Sequence, residues 1–205
     1  MIQRDPTRSP GSTLKFFPSP IALLLVVATL VLSACGTPPP DQLPRPHPSD
    51  IAELSREIQA LGAGISAEEA DRVARISYEY PLRLAVAYEV EDPPYIHNIK
   101  VNNGTKPRGL CYQWADDLEA RLRQEGFTTL ELQRAIANSE NPLRIEHSTV
   151  VVTAPGDSMY DGIVLDPWRN GGRLFWGHVT EDHKYPWLPR DEVFRRKRAR
   201  LLAVD

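Results

Sequence analysis

Thiols are scarce in this chain, because its 205 residues include only two cysteines, Cys35 and Cys111. At most one intrachain disulfide is possible, and a metal site built from several thiolates is excluded. The H-E-x-x-H pattern of helical zinc sites is also absent, although His178 and His183 lie close to acidic residues in the sequence. We therefore expect neither a bound metal nor another cofactor.

Apolar runs long enough to span a bilayer, which takes roughly 20 residues, are lacking as well. The apolar run from Ile21 to Leu32 is shorter than this and ends in small residues. It follows a positively charged leader that contains Arg4, Arg8 and Lys15. A short apolar run behind a basic leader is typical of a secretory signal peptide.

The segment Leu32-Ser33-Ala34-Cys35 resembles the lipobox of bacterial lipoprotein precursors. The resemblance implies that residues 1–34 are a cleaved signal peptide and that lipid on Cys35 anchors the mature chain to a membrane. Gly36 stands where an aspartate would retain a Gram-negative lipoprotein in the inner membrane, so the resemblance implies the periplasmic face of the outer membrane. An uncleaved single-pass helix is the alternative, and it fits the short apolar run less well.

Proline is dense in residues 35–48, which favours an extended polyproline conformation of about 3 Å per residue. We interpret this segment as a tether between the lipid and the folded chain. Residues 49–205 have the size of a single domain.

Basic residues are not in excess, since the chain without residues 1–34 has 21 of them against 26 acidic residues, a formal net charge of −5. We expect no nucleic-acid partner. Basic residues are concentrated only in a cluster near the C-terminus. This cluster is compatible with contact to acidic lipid headgroups or another polyanion, or with an ordinary solvated helix face. It consists of Arg195, Arg196, Lys197, Arg198 and Arg200.

Apolar residues recur at helical spacing in the first half of the folded chain. Ser49 can cap a first helix that ends at Gly62, and Ser66 with Glu69 forms a capping box for a second, which Pro81 is expected to end or kink.

The segment 91–108 is rich in proline, asparagine and glycine and is predicted to be a long ordered loop. A third helix is predicted from Leu110 until Gly126, with Trp114, Leu118 and Leu122 on one stripe.

The second half begins with a short predicted helix, Leu130 to Ala137, capped by Thr128 or Thr129. The period then changes to two, which indicates strands. The predicted strands are His147–Thr153, Gly162–Leu165 and Arg173–Trp176. Helices first and an antiparallel β-meander afterwards predict an α+β domain.

Cys111 is the only thiol that remains once lipid occupies Cys35, in a compartment where cysteines normally pair. It lies at a predicted helix start, where unpaired backbone amides and the helix dipole favour a thiolate. Cys111 is therefore a candidate nucleophile. A small buried core residue is the alternative reading of the same position.

A cysteine nucleophile needs a base, and the base needs a group that fixes its orientation. His147 and Asp166 can supply these roles. A hairpin that turns near Gly156 and Asp157 places His147 opposite Asp166, roughly 5 Å apart on one face of the sheet. A solvated or structural histidine and a turn-starting aspartate are the alternatives.

These residues together resemble the papain-like and transglutaminase-like cysteine enzymes. The segment 109–115, GLCYQWA, is similar to the transglutaminase-type G-x-C-x-x-x-A, and the strands that hold His147 and Asp166 match the order of that superfamily. The resemblance covers about residues 104–187. It implies a papain-like core and a Cys111–His147–Asp166 triad that works through an acyl-enzyme, as a peptidase, an amidase or an acyl transferase acting on peptides or envelope proteins.

One feature departs from the papain-like pattern, since no glutamine lies between Asn98 and Leu110 to bind the oxyanion. The Cys111 amide with Asn102 or Asn103 is the candidate replacement. The departure leaves open a second function, an inactive lipoprotein that binds or scaffolds a partner through its basic C-terminus and its aromatic residues. These aromatic residues, which are also suited to core packing, are Trp168, Phe175, Trp176, Tyr185 and Trp187.

Overall fold

The computed structural model describes residues 42–203. The predicted signal peptide, the lipidation site Cys35 and the first part of the tether therefore lie outside the described residues. Within residues 42–203, no helix combines the length and the apolar character needed to cross a membrane.

Helices and strands are both present in this part of the chain, which confirms the predicted α+β class. The helices between residues 42 and 203 are α1 (Pro48–Ala60), α2 (Ala67–Ala87), α3 (Pro94–Asn102), α4 (Cys111–Arg123) and α5 (Arg190–Leu202). The strands of the same region are β1 (Glu131–Ala137), β2 (His147–Thr153), β3 (Ile163–Asn170), β4 (Arg173–His178) and β5 (Trp187–Pro189).

The five strands form one sheet in the order β4-β3-β2-β1-β5, and all neighbours are antiparallel. Strands β2 to β4 are the predicted meander, whereas β1 and β5 extend the sheet beyond it. One face of the sheet packs against α1, α2 and α4, where Val150 and Leu165 join the main core. The other face is covered by a second cluster that includes Val151, Tyr185 and Trp187. Every residue of β2 is buried, because β2 lies at the centre with both faces covered.

The first two helices begin close to the predicted positions. His47 caps α1 in place of Ser49, since its Nδ1 accepts from the Ser49 amide and Pro48 occupies the first helical position. Ser66 caps α2 as predicted, and its hydroxyl accepts from the Glu69 amide.

Glu69 does not complete the predicted capping box. Its carboxylate instead accepts hydrogen bonds from the amides and hydroxyls of Thr128 and Thr129, at 2.6–3.2 Å. Burial alone would raise the pKa of Glu69, but these donors lower it to about 2. The carboxylate thereby fastens α2 to the segment that enters β1.

Helix α2 does not end at Pro81 but continues to Ala87, and the turn at Gly172 packs against it there, so tertiary contacts offset the hydrogen-bond donor that proline lacks. Two predictions about secondary structure are wrong. Residues 91–108 contain α3. This helix starts with Pro94, and proline is tolerated there because the first helical residue has no intrahelical hydrogen bond for its amide to lose. The predicted helix 130–137 is strand β1, because pairing with β2 and β5 outweighs local helix propensity.

Replacing Glu69 with alanine should destabilise the fold by about 2 kcal/mol, because four threonine donors lose a buried charged acceptor. Since the pKa is lower in the folded state, this stabilisation is present above about pH 4.5 and is lost as the pH falls toward 2. Urea unfolding at several pH values measures both effects. Glu68→Ala is the matched control, because its side chain is 80% exposed and its loss should change stability by less than about 0.5 kcal/mol. Equal effects of the two substitutions would contradict the assigned role of Glu69.

Candidate active site

Cys111 is the first residue of α4 and is 7% exposed. Two side chains of the same helix fix the turn that precedes it. Gln113 accepts from the amides of Gly109 and Leu110 at 2.8 and 2.9 Å, and the Trp114 indole donates to the Gly109 carbonyl at 2.9 Å. The carbonyl oxygen of Gln113 therefore shapes the turn before Cys111.

Gly109 has a φ of +127°, a conformation that side chains disfavour. A Cβ atom there would lie 2.4 Å from Nε2 of His97 in α3. The same Nε2 lies 2.8 Å from the Arg108 carbonyl. Glycine at this position thus lets α3 pack directly against the approach to Cys111.

Two backbone amides are available beside the sulfur. Among the described residues, the amides of Cys111 and Tyr112 have no hydrogen-bond acceptor, as expected for the first turn of a helix. Unpaired amides and the positive end of the helix dipole both favour negative charge at this point.

His147 and Asp166 are brought together as the sequence predicts, with Nε2 of His147 2.6 Å from Oδ2 of Asp166. The predicted register is wrong, however. Val150 pairs with Leu165, and continuing that register puts Thr149 beside Asp166. His147 is therefore a diagonal neighbour of Asp166 and not its direct partner. The error is two residues, so both side chains stay on the same face, and diagonal neighbours are within reach of long side chains.

His147 also lies near Cys111. It is 1% exposed, and its Nδ1 is buried without a hydrogen-bond partner in residues 42–203. Cys111 lies close enough to help raise the pKa of His147. The thiol itself donates to the carbonyl of Glu146, the residue before His147, at 3.4 Å. The structure thus places all three predicted residues in one group.

Charges in this group are strongly coupled. Burial alone would lower the pKa of His147, but the carboxylate of Asp166, helped by Cys111, raises it to about 9. Burial alone would raise the pKa of Asp166, yet the nearby His147 and Arg169 hold it below its usual value. At neutral pH the pair is therefore an imidazolium and a carboxylate.

Arg169 and Asp182 extend this pair, and the sequence did not single out either as part of the site. Arg169 donates to Asp166 at 3.1 Å and to both oxygens of Asp182 at 3.2 and 2.6 Å. The Trp187 indole donates to Asp182 at 2.9 Å. The only sequence signal was the position of Arg169 three residues after Asp166, which is too common to be informative.

Aromatic rings enclose the histidine. The centroids of Trp168, Tyr185 and Trp187 lie 4.6, 4.6 and 5.2 Å from that of His147. All three rings are buried, so the structure gives them the packing role that the sequence suggested. Of the remaining predicted aromatics, Phe175 stacks with Arg169, and Trp176 donates to the Tyr78 hydroxyl.

Asn98 is a site residue that sequence reasoning missed, because it fell in the predicted loop. It is 6% exposed, and its Oδ1 accepts from the Trp168 indole at 3.1 Å. The predicted oxyanion residues Asn102 and Asn103 are exposed at the end of α3. Among the described residues, neither side chain forms a hydrogen bond with Cys111, His147 or Asp166.

The two histidines near acidic residues do not lie in a cluster of metal-binding side chains. His178 contacts Glu57 at 3.3 Å, and residues 42–203 contain no group of three or more His, Cys, Asp or Glu side chains arranged to hold a metal ion.

The basic cluster lies on α5, and part of it is paired with acidic residues. Arg196 and Arg200 contact Glu140, and Lys197 contacts Glu146. These pairs fasten α5 to the loop between β1 and β2, which leads into His147.

Comparisons with protein-family models, with curated proteins and with solved structures gave no significant match for this chain.

Titration of His147 tests the coupled pair. Its NMR titration midpoint should lie at about 9 and should fall below 6.5 in Asp166→Asn. In that variant burial still disfavours the imidazolium, and no carboxylate stabilises it. Since the pKa is higher in the folded state, the pair's stabilisation is complete below about pH 6.5 and is lost as the pH rises through 9. The control Asp157→Asn alters an exposed carboxylate in the β2–β3 turn and should leave the midpoint unchanged. A wild-type midpoint at or below 6.5 would contradict the pairing.

Proposed function

We propose that this protein is a lipid-anchored periplasmic cysteine hydrolase, a peptidase or amidase, or a related acyl transferase. Its triad is Cys111, His147 and Asp166, of the papain-like and transglutaminase-like kind. The observation that carries the proposal is the orientation of His147. Its Nε2 is bound to Asp166 at 2.6 Å, and its buried Nδ1 is left for Cys111.

In the proposed reactive form, the Cys111 thiol has released to solvent the proton that it donates to the Glu146 carbonyl, which leaves a thiolate beside the imidazolium of His147. The sulfur attacks the carbonyl carbon of an amide or ester, a C–S bond forms, and the carbonyl electron pair moves to the oxygen. The amides of Cys111 and Tyr112 stabilise this oxyanion. When the intermediate collapses, the bond to the leaving amine or alcohol breaks, and His147 gives that group its Nδ1 proton.

The second half of the reaction restores the thiolate. Water attacks the thioester while His147 takes one of its protons, the C–S bond breaks, and the acid is released. An amine in place of water gives acyl transfer by the same steps. Asp166 keeps the imidazole oriented and stabilises its charged form throughout.

The anchor limits where this chemistry takes place. Leu43 is buried in the cluster that also contains Cys111 and Trp168. With lipid on Cys35, only residues 35–42 link the membrane to Leu43, and eight extended residues reach about 28 Å. Substrates of the proposed enzyme are therefore peptides or envelope proteins near the membrane surface.

A binding or scaffolding lipoprotein is the second candidate function. It is favoured by the missing glutamine and by the burial of Cys111 and His147, which are 7% and 1% exposed. The reactivity of the thiol separates the two candidates.

Alkylation of the lipidated protein by iodoacetamide tests the proposed enzyme, because Cys111 is then the only free thiol. We expect the alkylation rate to change little when the pH is lowered to about 6. An ordinary thiol, which is half-ionised near pH 8.5, reacts some hundredfold more slowly at pH 6 than it does near pH 8.5. His147→Ala should restore the pH dependence of an ordinary thiol, since it removes the neighbouring positive charge. A wild-type rate that already behaves like an ordinary thiol would refute the enzyme and favour the binding lipoprotein.

Asn98 is the side chain that we assign to the oxyanion in place of Asn102 and Asn103. Its neighbour His97 contacts Gly109 on the cysteine side, and Asn98 itself binds Trp168 on the histidine side. Because Oδ1 accepts from the indole, the amide nitrogen remains as a donor.

The rate of acylation by p-nitrophenyl butyrate should fall about 10²–10³-fold in Asn98→Ala, the usual loss for one oxyanion donor. Alkylation by iodoacetamide forms no oxyanion, so its rate and pH dependence should stay unchanged. The matched control is Asn102→Ala, an exposed asparagine on the same helix, which should acylate like the wild type. A loss in Asn102→Ala but not in Asn98→Ala would contradict the assignment.

A further inference from the structure

Exposed apolar side chains are concentrated around the candidate triad. Within residues 42–203, six of the ten large apolar side chains that are exposed belong to three segments next to Cys111 and His147. These six are Tyr95, Ile96, Ile99, Tyr112, Leu143 and Ile145. Single exposed apolar residues need no explanation, but a group around one site indicates a binding surface.

The first segment is α3. The ring of Tyr95, half exposed, lies 5.4 Å from that of Trp168, and Trp168 lies 4.6 Å from His147. Ile99 is 55% exposed and follows Tyr95 by one helical turn, so the two side chains are neighbours. Helix α3 thus presents an apolar edge on the histidine side of the site.

The other two segments adjoin the reacting groups in sequence. Tyr112 is 49% exposed and directly follows Cys111. Ile145 is 50% exposed and lies next to Glu146, whose carbonyl accepts from the Cys111 thiol. We call Tyr95, Ile99, Tyr112 and Ile145 the apolar rim.

Charged groups beside the rim already have partners. Lys100, next to Ile99, contacts Asp92 at 2.6 Å, and Glu146 contacts Lys197 at 2.6 Å. Arg144 turns its guanidinium back to the Lys184 carbonyl at 3.0 Å. The rim therefore offers mainly apolar contact, although Arg144 keeps its positive charge because its partner is a neutral carbonyl.

The reacting groups lie deeper than the rim, since Cys111 and His147 are almost fully buried. A ligand that reaches them while covering the rim must join a slender reacting carbonyl to bulky apolar groups near it, as a polypeptide with large apolar side chains does. We propose that the apolar rim binds large apolar side chains of a polypeptide substrate next to the carbonyl that Cys111 attacks. This inference rests on the proposed function.

Two irreversible cysteine-directed probes test it, peptidyl acyloxymethyl ketones that carry Leu-Leu or Asp-Asp. The leucine probe should inactivate the lipidated protein at least about tenfold faster, the usual gain from one apolar side chain in a matching site. The variants Ile99→Asp and Ile145→Asp should each reduce that ratio severalfold. Tyr160→Asp is the control, because Tyr160 is exposed beyond the far end of β2 and should leave the ratio unchanged.

Iodoacetamide separates the possible failures. Equal rates for the two peptide probes, with iodoacetamide still fast at pH 6, would overturn the rim as a specificity site and leave the proposed enzyme intact. A slow iodoacetamide reaction would refute the proposed enzyme itself, and this inference with it. A dimer in sedimentation equilibrium that Ile99→Asp abolishes would assign the rim to a second copy of the chain and overturn the proposal.

Discussion

The buried ion pair between His147 and Asp166 is the interaction on which this end of the molecule depends. Buried charges are costly unless they are paired and hydrogen-bonded. Arg169 supplies two further donors to Asp166, its amide and its Nε, and Asp182 in turn neutralises Arg169. The rings around His147 exclude water from the pair and thereby strengthen its attraction. One electrostatic requirement thus fixes β2, β3 and the segment before β5 relative to one another.

The proposed nucleophile, Cys111, comes from a different part of the fold. Helix α4 packs on the central strands of the sheet, and its first residue meets the first residue of β2. Gln113 and Trp114 hold the turn before Cys111, and Gly109 lets α3 close over it.

Chemistry and selectivity are separated in this arrangement. In the proposed enzyme, the triad carries out acyl transfer to Cys111 but does not distinguish one carbonyl substrate from another. Selection is then left to the proposed contacts of the apolar rim and to the short link to the proposed anchor. On these proposals the rim selects apolar polypeptides, and the anchor keeps the protein near the membrane surface.

The sequence alone determined the α+β class, the helix start at Cys111 and the choice of His147 and Asp166. These follow from local signals, namely the period of apolar residues, capping residues and the order of short motifs. Tertiary structure decided the rest. Strand β1 was predicted as a helix because only pairing with β2 and β5 makes it a strand, and α3 was hidden in a segment rich in loop-forming residues.

The register between the strands that hold His147 and Asp166 shows the same division. The register predicted from the hairpin turn was wrong by two residues. His147 and Asp166 were still placed on the same face of the sheet, because side chains alternate between the faces with a period of two. Asn98, Arg169 and Asp182 carry no motif, and they become part of the site only through contacts between segments distant in the chain. Local sequence therefore determined which residues are chemically able to act, and long-range packing decided which of them meet.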